Sequence, residues 1–223
     1  MRNKADTLGL VAVDHPKVST AVAECTQAGV QVFALLSQLN APDLAGYVGI
    51  DRRRAGRTAG WVMSRCTAGH GDVGILIGSH RYLGHEEREV GFRSYMREVA
   101  PRTRLRESVV YLDDAAVAYE AAAEILRGVP RISGLYHCGG GVEGVIRALV
   151  EAERSHDVFY ICHEKNPDAI QGLLDGTVDL VITNPLQPLA RTITQAMADV
   201  LTGNIRLTAA GMLAFELTTA ENI

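Results

Sequence analysis

The chain is poor in the residues that build disulfide scaffolds and metal sites. Its four cysteines, Cys25, Cys66, Cys138 and Cys162, are scattered through 223 residues with no CxxC pair. That spacing excludes a dense disulfide framework and a paired-ligand zinc site. It suits four reduced thiols that pack as small hydrophobes, which favours a cytoplasmic protein. No apolar run approaches the roughly 18–20 residues that span a bilayer. The opening segment, MRNKADTLGLVAVDHPKV, has only a short apolar stretch, broken by Asp14 and followed by no small-residue cleavage site. It reads as a first strand and not as a signal peptide, and no membrane partner is expected. Charge of one sign is also lacking. Lys and Arg number 22 against 26 Asp and Glu, a net −4, so non-specific nucleic-acid binding is disfavoured. HExxH, GxSxG and low-complexity segments are all missing.

What is present is a regular alternation. Short β-branched apolar runs (LGLVAV, QVFALLS, GYVGI, DVGILIGS, RLRESVVYL, ISGLYH, DVFYICHE, VDLVITN) alternate with amphipathic stretches of helical length. The spacing predicts helices over PKVSTAVAECTQAG, RRRAGRTAGWVMSRC (with Asp51 as N-cap), HEEREVGFRSYMREVA, DDAAVAYEAAAEILRG, VEGVIRALVEAERS, NPDAIQGLLDG and LQPLARTITQAMADVLTG. IRLTAAGMLAFELTT ends the chain in extended structure. The continuous apolar run of DVGILIGS predicts a strand covered on both faces. Strict β-α alternation predicts an α/β fold with parallel sheets and right-handed crossovers.

The strands share a feature at their carboxyl ends, where open α/β sheets bind ligands. They end on Asp14-His15, Ser37, Asp51, Ser79-His80, His137, His163-Glu164 and Asn184. Four of the seven histidines (His15, His80, His137 and His163) stand there. Such a mixture of hydroxyl, imidazole, carboxylate and amide groups suits a polar ligand rich in hydroxyls. Polar loops and helix caps also follow strands, and for Asp51 capping is the better reading. The densest segment is SHRYLGHEEREVGF, with His80, Tyr82, His85 and Arg88. Arg88 lies about one turn into a helix, where the dipole disfavours a cation. A ligand hydrogen-bonded to its guanidinium fork offsets that, as does a surface pair with Glu86.

The residues bear on two further chemistries. HxxxxHEE and CHE resemble metal-ligand clusters, but His80 and His85 stand five apart across a loop, so no metal is assigned. Gly139, Gly141 and Gly144 fit G-x-G-x-x-G after a strand, with Glu164 about twenty residues on, which leaves a dinucleotide-dependent enzyme as an alternative. Against it, the match sits deep in the chain, and His137 and Cys138 separate strand from glycine. No cofactor and no catalytic activity are expected.

Several segments together resemble the effector-binding domain of LacI/GalR-type transcriptional repressors, which shares the fold of periplasmic sugar-binding proteins. They are YVGIDRRRAGRTAG, DVGILIGSHRYLGHEEREVGFRSYM, ISGLYHCGGGVEGVIRAL, FYICHEKNPDAIQGLLDGTVDLVITNPLQPLARTITQAM and FELTTAENI. The resemblance implies two Rossmann-like lobes with parallel sheets, of periplasmic binding protein type I. Residues 1–50 and 187–211 would form an incomplete N-terminal lobe, and 51–186 and 212–223 the C-terminal lobe, with three crossovers. The chain would be N-terminally truncated, lacking a helix-turn-helix and the first strands. A small polar effector (a sugar, polyol or sugar acid) would sit in the cleft. DNA would be reached only through the missing helix-turn-helix, and the expected assembly is a homodimer.

By the same resemblance Arg88 matches the arginine that hydrogen-bonds sugar hydroxyls. Glu164 stands where an effector-binding Asp is usual, and Asn184 where a Gln is common. His137-Cys138 replaces a usual Asn-Asp, Leu36-Ser37 an acidic position, and Arg52 an Asn, which implies an unusual effector. The expected ligand residues are Asp14, Ser37, His80, Tyr82, His85, Arg88, His137, Glu164 and Asn184. A solute-binding protein of a sugar ABC transporter is the alternative with the same fold.

Overall fold

Alternating apolar strands and amphipathic helices leave one economical packing, a parallel sheet with helices laid against it. The computed structural model describes residues 5–68, 70–203 and 211–223. Among these, seven α-helices and ten strands follow one another along two sheets. The chain divides into two compact units. Unit 1 comprises Met1–Asp51, Arg81–Gly84 and Asn184–Phe215, and unit 2 comprises Arg52–His80, His85–Thr183 and Glu216–Ile223.

Unit 1 holds β1 (Thr7–Leu10), α1 (Pro16–Gln27), β2 (Gln31–Leu35), β3 (Gly46–Ile50), α7 (Leu186–Leu201) and β9 (Met212–Leu213). Its sheet runs β1-β2-β3-β9, all parallel. Pro16 enters α1 at its first turn, and the His15 ring caps it by accepting from the Lys17 N–H at 3.1 Å. A core of Val22, Val32 and Ala41 is lined by Leu10, Val18, Cys25 and Leu44. No residue of α7 is fully buried.

Unit 2 holds α2 (Arg52–Cys66), β4 (Asp72–Ile77), α3 (Leu83–Val99, from His85 onward), β5 (Arg104–Val110), α4 (Ala115–Gly128), β6 (Ile132–Cys138), α5 (Val142–Glu151), β7 (Phe159–Cys162), α6 (Pro167–Leu174), β8 (Leu180–Thr183) and β10 (Glu216–Thr218). The sheet order is β10-β8-β7-β6-β4-β5. Val73, Ile75, Leu76 and Ile77 of β4 are completely buried, as its unbroken apolar run requires. Asp114 caps α4 by accepting from the Ala116 and Val117 N–H groups, and Asn166 caps α6 from the Ala169 N–H. Helices α2 and α3 meet backbone to backbone. A Cβ on Gly56 would fall 2.0 Å from the Arg88 carbonyl oxygen, and one on Gly91 2.1 Å from that of Arg53. This contact fixes where α3 presents Arg88.

The α/β, parallel-sheet expectation is met, with one exception. Strand β10 runs antiparallel to β8, because no helical crossover precedes it. Two expected lobe boundaries are corrected. Met212–Leu213 pairs with β3 and so belongs to unit 1, not to the C-terminal lobe. Arg81–Gly84 also belongs to unit 1, where the Arg81 carbonyl accepts from the Asp14 N–H and the Gly84 N–H donates to Ser37 Oγ. The chain therefore passes between units after Asp51, His80, Gly84, Thr183 and Phe215, where three crossings were expected. Of the predicted final extended segment, 205–210 lie outside the described residues.

Candidate functional site

The carboxyl ends of β4, β5, β6 and β7 bring together the polar groups of unit 2. Arg88 is the anchor. It is 94% buried, at 6% exposure, and its Nε has no hydrogen-bond partner. No carboxylate pairs with it among the described residues, so the alternative surface pair with Glu86 is not made. A buried guanidinium without acceptors is costly, and ligand oxygens relieve that cost.

His85 Nδ1 lies 3.2 Å from the Ser79 N and 3.1 Å from its carbonyl O. Burial, and then the neighbouring Arg88 cation, pull its pKa down to about 4, so the ring is neutral at pH 7. The Glu164 carboxyl lies over Gly140, its Oε1 3.3 Å from where a Cβ would stand. Burial, and then the Asp113 and Glu143 carboxylates, hold it above the usual range, while Arg88 opposes them.

Asp113 was not anticipated, and it is central. Its Oδ1 accepts from the Gly140 N–H at 2.8 Å. A Cβ on Gly78 would fall 1.8 Å from that oxygen and one on Gly139 2.5 Å from it, so two glycines at strand ends make room for this carboxylate. A signal is in the sequence, since Asp113-Asp114 follow the β5 run, but both acids suit the first turn of the next helix, and only Asp114 serves there.

The structure corrects His137. It stands inside β6 with no exposure, and both ring nitrogens are occupied by the protein. Nε2 donates to the Gly140 carbonyl at 3.0 Å and lies against the Tyr111 hydroxyl, which leaves Nδ1 to accept from the Tyr160 hydroxyl at 2.7 Å. His163 follows the same logic. Nδ1 donates to the Ile182 carbonyl at 3.0 Å, and Nε2 accepts from the Tyr136 hydroxyl at 2.8 Å. Burial lowers the His137 pKa to about 3 and that of His163 well below its ordinary value. Both rings are neutral struts beneath the site and are closed to a ligand.

The other expected residues divide between the units. His80 is exposed at the end of unit 2's first segment. Asp14, Ser37, Tyr82 and Asn184 belong to unit 1. Asp14 accepts from the Asn40 N–H at 2.8 Å and from its side-chain amide at 2.7 Å. Ser37 is buried and accepts from the Gly84 N–H at 3.3 Å. Tyr82 and Asn184 are half-buried.

The glycine turn does not serve a dinucleotide. Gly141, at φ +76°, starts α5, while the Gly140 N–H is already held by Asp113, whose charge repels a diphosphate. Among the described residues, no group of three or more His, Cys, Asp or Glu is placed to hold a metal ion.

Fold and strand-end chemistry together define an α/β binding domain of the periplasmic binding protein type I-like class. The chain belongs to the periplasmic binding protein domain family, whose model matches residues 1–205. It is a family of binding domains, and the chain is a binder, not an enzyme. Similar solved structures include an ABC transporter solute-binding protein from Burkholderia graminis C4D1M in complex with D-arabinose. It is 19% identical, with a TM-score of 0.90 over 97% of this chain and 76% of that one. The glucose-galactose binding protein GanP of Geobacillus stearothermophilus is 19% identical, with a TM-score of 0.88 over 99% and 78%. A solute-binding protein of Agrobacterium vitis with bound α-D-tagatopyranose is 16% identical, with a TM-score of 0.90 over 98% and 76%. No curated protein matches the chain in sequence.

Proposed function

We propose that the chain binds a small sugar and acts as the solute-binding component of a sugar ABC transporter. The observation that carries this reading is Arg88, a buried guanidinium with an unpartnered Nε at the carboxyl ends of the unit 2 strands. It supplies the fixed donor fork that a hydroxyl-rich, oxygen-bearing ligand needs, and Glu164 and Asp113 supply acceptors beside it. The sugar complexes of the similar solute-binding proteins support the same ligand class. Asp14, Ser37, His80 and Asn184 remain assigned to the ligand on the strand-end pattern, and Tyr82 and His85 on the polar segment SHRYLGHEEREVGF.

A second reading is favoured by a separate observation. Cys25, Cys66, Cys138 and Cys162 are all free thiols, which suits a reducing compartment and hence the effector domain of a LacI-type regulator. In that reading the protein is a cytoplasmic homodimer that meets DNA through a helix-turn-helix segment outside this sequence.

A thermal-shift screen of pentoses, hexoses, polyols and sugar acids tests the first step. A ligand at a hundred times its Kd adds about 2.7 kcal/mol to stability. Arg88→Ala should remove that shift while the protein still melts cooperatively. A panel without any shift, or an Arg88→Ala variant with undiminished affinity by calorimetry, refutes the assignment.

A further inference from the structure

We infer that Asp113 is a specificity residue of this site. Its second carboxylate oxygen takes a hydrogen-bond donor of the ligand, a hydroxyl or an ammonium, and refuses a ligand carboxylate. The inference rests on the carbohydrate-binding reading and narrows it.

The position is built for a carboxylate. Leu112 and Asp113 both have left-handed backbones, at φ +59° and +58°, although neither is glycine. Two successive residues in that region persist only where their surroundings hold them there. Oδ1 is held by the Gly140 N–H at 2.8 Å, and it fills the space left by the missing Cβ atoms of Gly78 and Gly139. Three strand ends (β4, β5 and β6) are thus shaped around one side chain. Oδ2 is left over. Among the described residues it has neither a hydrogen-bond donor nor an ion-pair partner.

The surroundings say what Oδ2 is for. Asp113 and Glu164 stand side by side over the Gly140 backbone, where a Cβ would meet Glu164 Oε1 at 3.3 Å and Asp113 Cβ at 3.6 Å. The Arg88 cation acts on His85, Tyr111 and Glu164, as Asp113 does. At pH 7 His85 is neutral there. One side therefore offers a buried guanidinium with an unpartnered Nε. The other offers Asp113 beside Glu164, whose pKa is raised by burial and then by the Asp113 and Glu143 carboxylates. A neutral sugar satisfies both sides, its oxygens accepting from Arg88 and a hydroxyl donating to Asp113. An amino sugar adds charge attraction at Asp113. A uronic acid that brings its carboxylate to Asp113 meets two like charges and no donor.

Calorimetric titration of the intact chain with two matched series tests this: D-galactose, D-galactosamine and D-galacturonate, and the corresponding gluco compounds. In at least one series the wild type should bind the hexose and the hexosamine at least tenfold more tightly than the uronate, a ranking that needs no variant. Asp113→Asn keeps an acceptor for the Gly140 N–H and removes the charge. It should close the uronate gap tenfold or more and abolish any hexosamine advantage, with an unchanged melting profile. Wild-type protein that binds the uronate as tightly as the hexose overturns the inference. So does an Asp113→Asn variant that shifts all three ligands by one factor, and in both cases sugar binding itself stands. If neither these compounds nor any pentose, hexose, polyol or sugar acid of the thermal-shift panel binds, the carbohydrate reading falls and the role of Asp113 falls with it.

Discussion

Gly56→Ala tests the link between helix packing and the site. The added methyl would stand 2.0 Å from the Arg88 carbonyl oxygen, 2.8 Å from its carbonyl carbon and 3.0 Å from its Cα. These are backbone atoms of a helix, so no side chain can rotate away. The contact has to open by roughly 1.5 Å to reach ordinary carbon contact distance. Overpacking of this kind costs about 1–3 kcal/mol. Alanine returns up to about 1 kcal/mol of helix propensity. The expected net loss is about 1–2 kcal/mol, read as a lower urea midpoint at unchanged slope. Because α3 carries Arg88, sugar affinity should fall tenfold or more in the folded variant. Gly128→Ala is the control. It ends α4 with nothing within 4 Å of the new methyl, and it should gain about 0.4–1 kcal/mol without touching affinity. A Gly56→Ala protein as stable as wild type, with full affinity, would refute the claim that this backbone contact sets the position of Arg88.

Two further outcomes follow from burial. His137, His163 and His85 are neutral in the fold, with pKa values of about 3, well below 6.5, and about 4, against an ordinary 6.5 when unfolded. The unfolded chain therefore binds more protons below pH 6.5, and stability falls as pH drops from 6.5 towards 4, by up to about 1.4 kcal/mol per pH unit for each ring. Asp179, pushed up to about 6 chiefly by burial, and Glu164, also raised chiefly by burial, act in the opposite sense as pH falls, two groups against three. Urea midpoints that do not change between pH 7.5 and 5 would contradict the burial of these rings. Burial also pushes the Cys138 and Cys162 thiols up to about 12. A thiol reagent at pH 8 should label only Cys25 and Cys66 in the native protein and all four cysteines after unfolding, as mass spectrometry would show.

The alternation of elements was legible in the sequence because each strand and helix carries its own period. The strand β10 falls within the expected final extended segment, but its antiparallel pairing was not legible, since that depends on where the chain returns from. The strand-end rule found Glu164, and the polar segment SHRYLGHEEREVGF gave Arg88 and His85, but the rule does not distinguish a residue beyond the strand from one still inside it. His137 lies within a central strand covered on both faces, so it is buried whichever way it points. His15 follows a strand yet serves as a helix cap. Asp113 was hidden by Asp114, because adjacent acids before a helix look alike until one of them is seen to bond the glycine turn.

The last two strands have a consequence for biosynthesis. Ile50 pairs with Leu213, and Thr183 with Glu216. A ribosome releases the amino-terminal β-α segments of unit 1 first, yet the sheet they belong to waits for β9, more than 160 residues later. Unit 2 likewise lacks its edge strand until β10 emerges. Such distant pairings are slow to close, and for most of translation each sheet presents an unpaired border to other nascent chains.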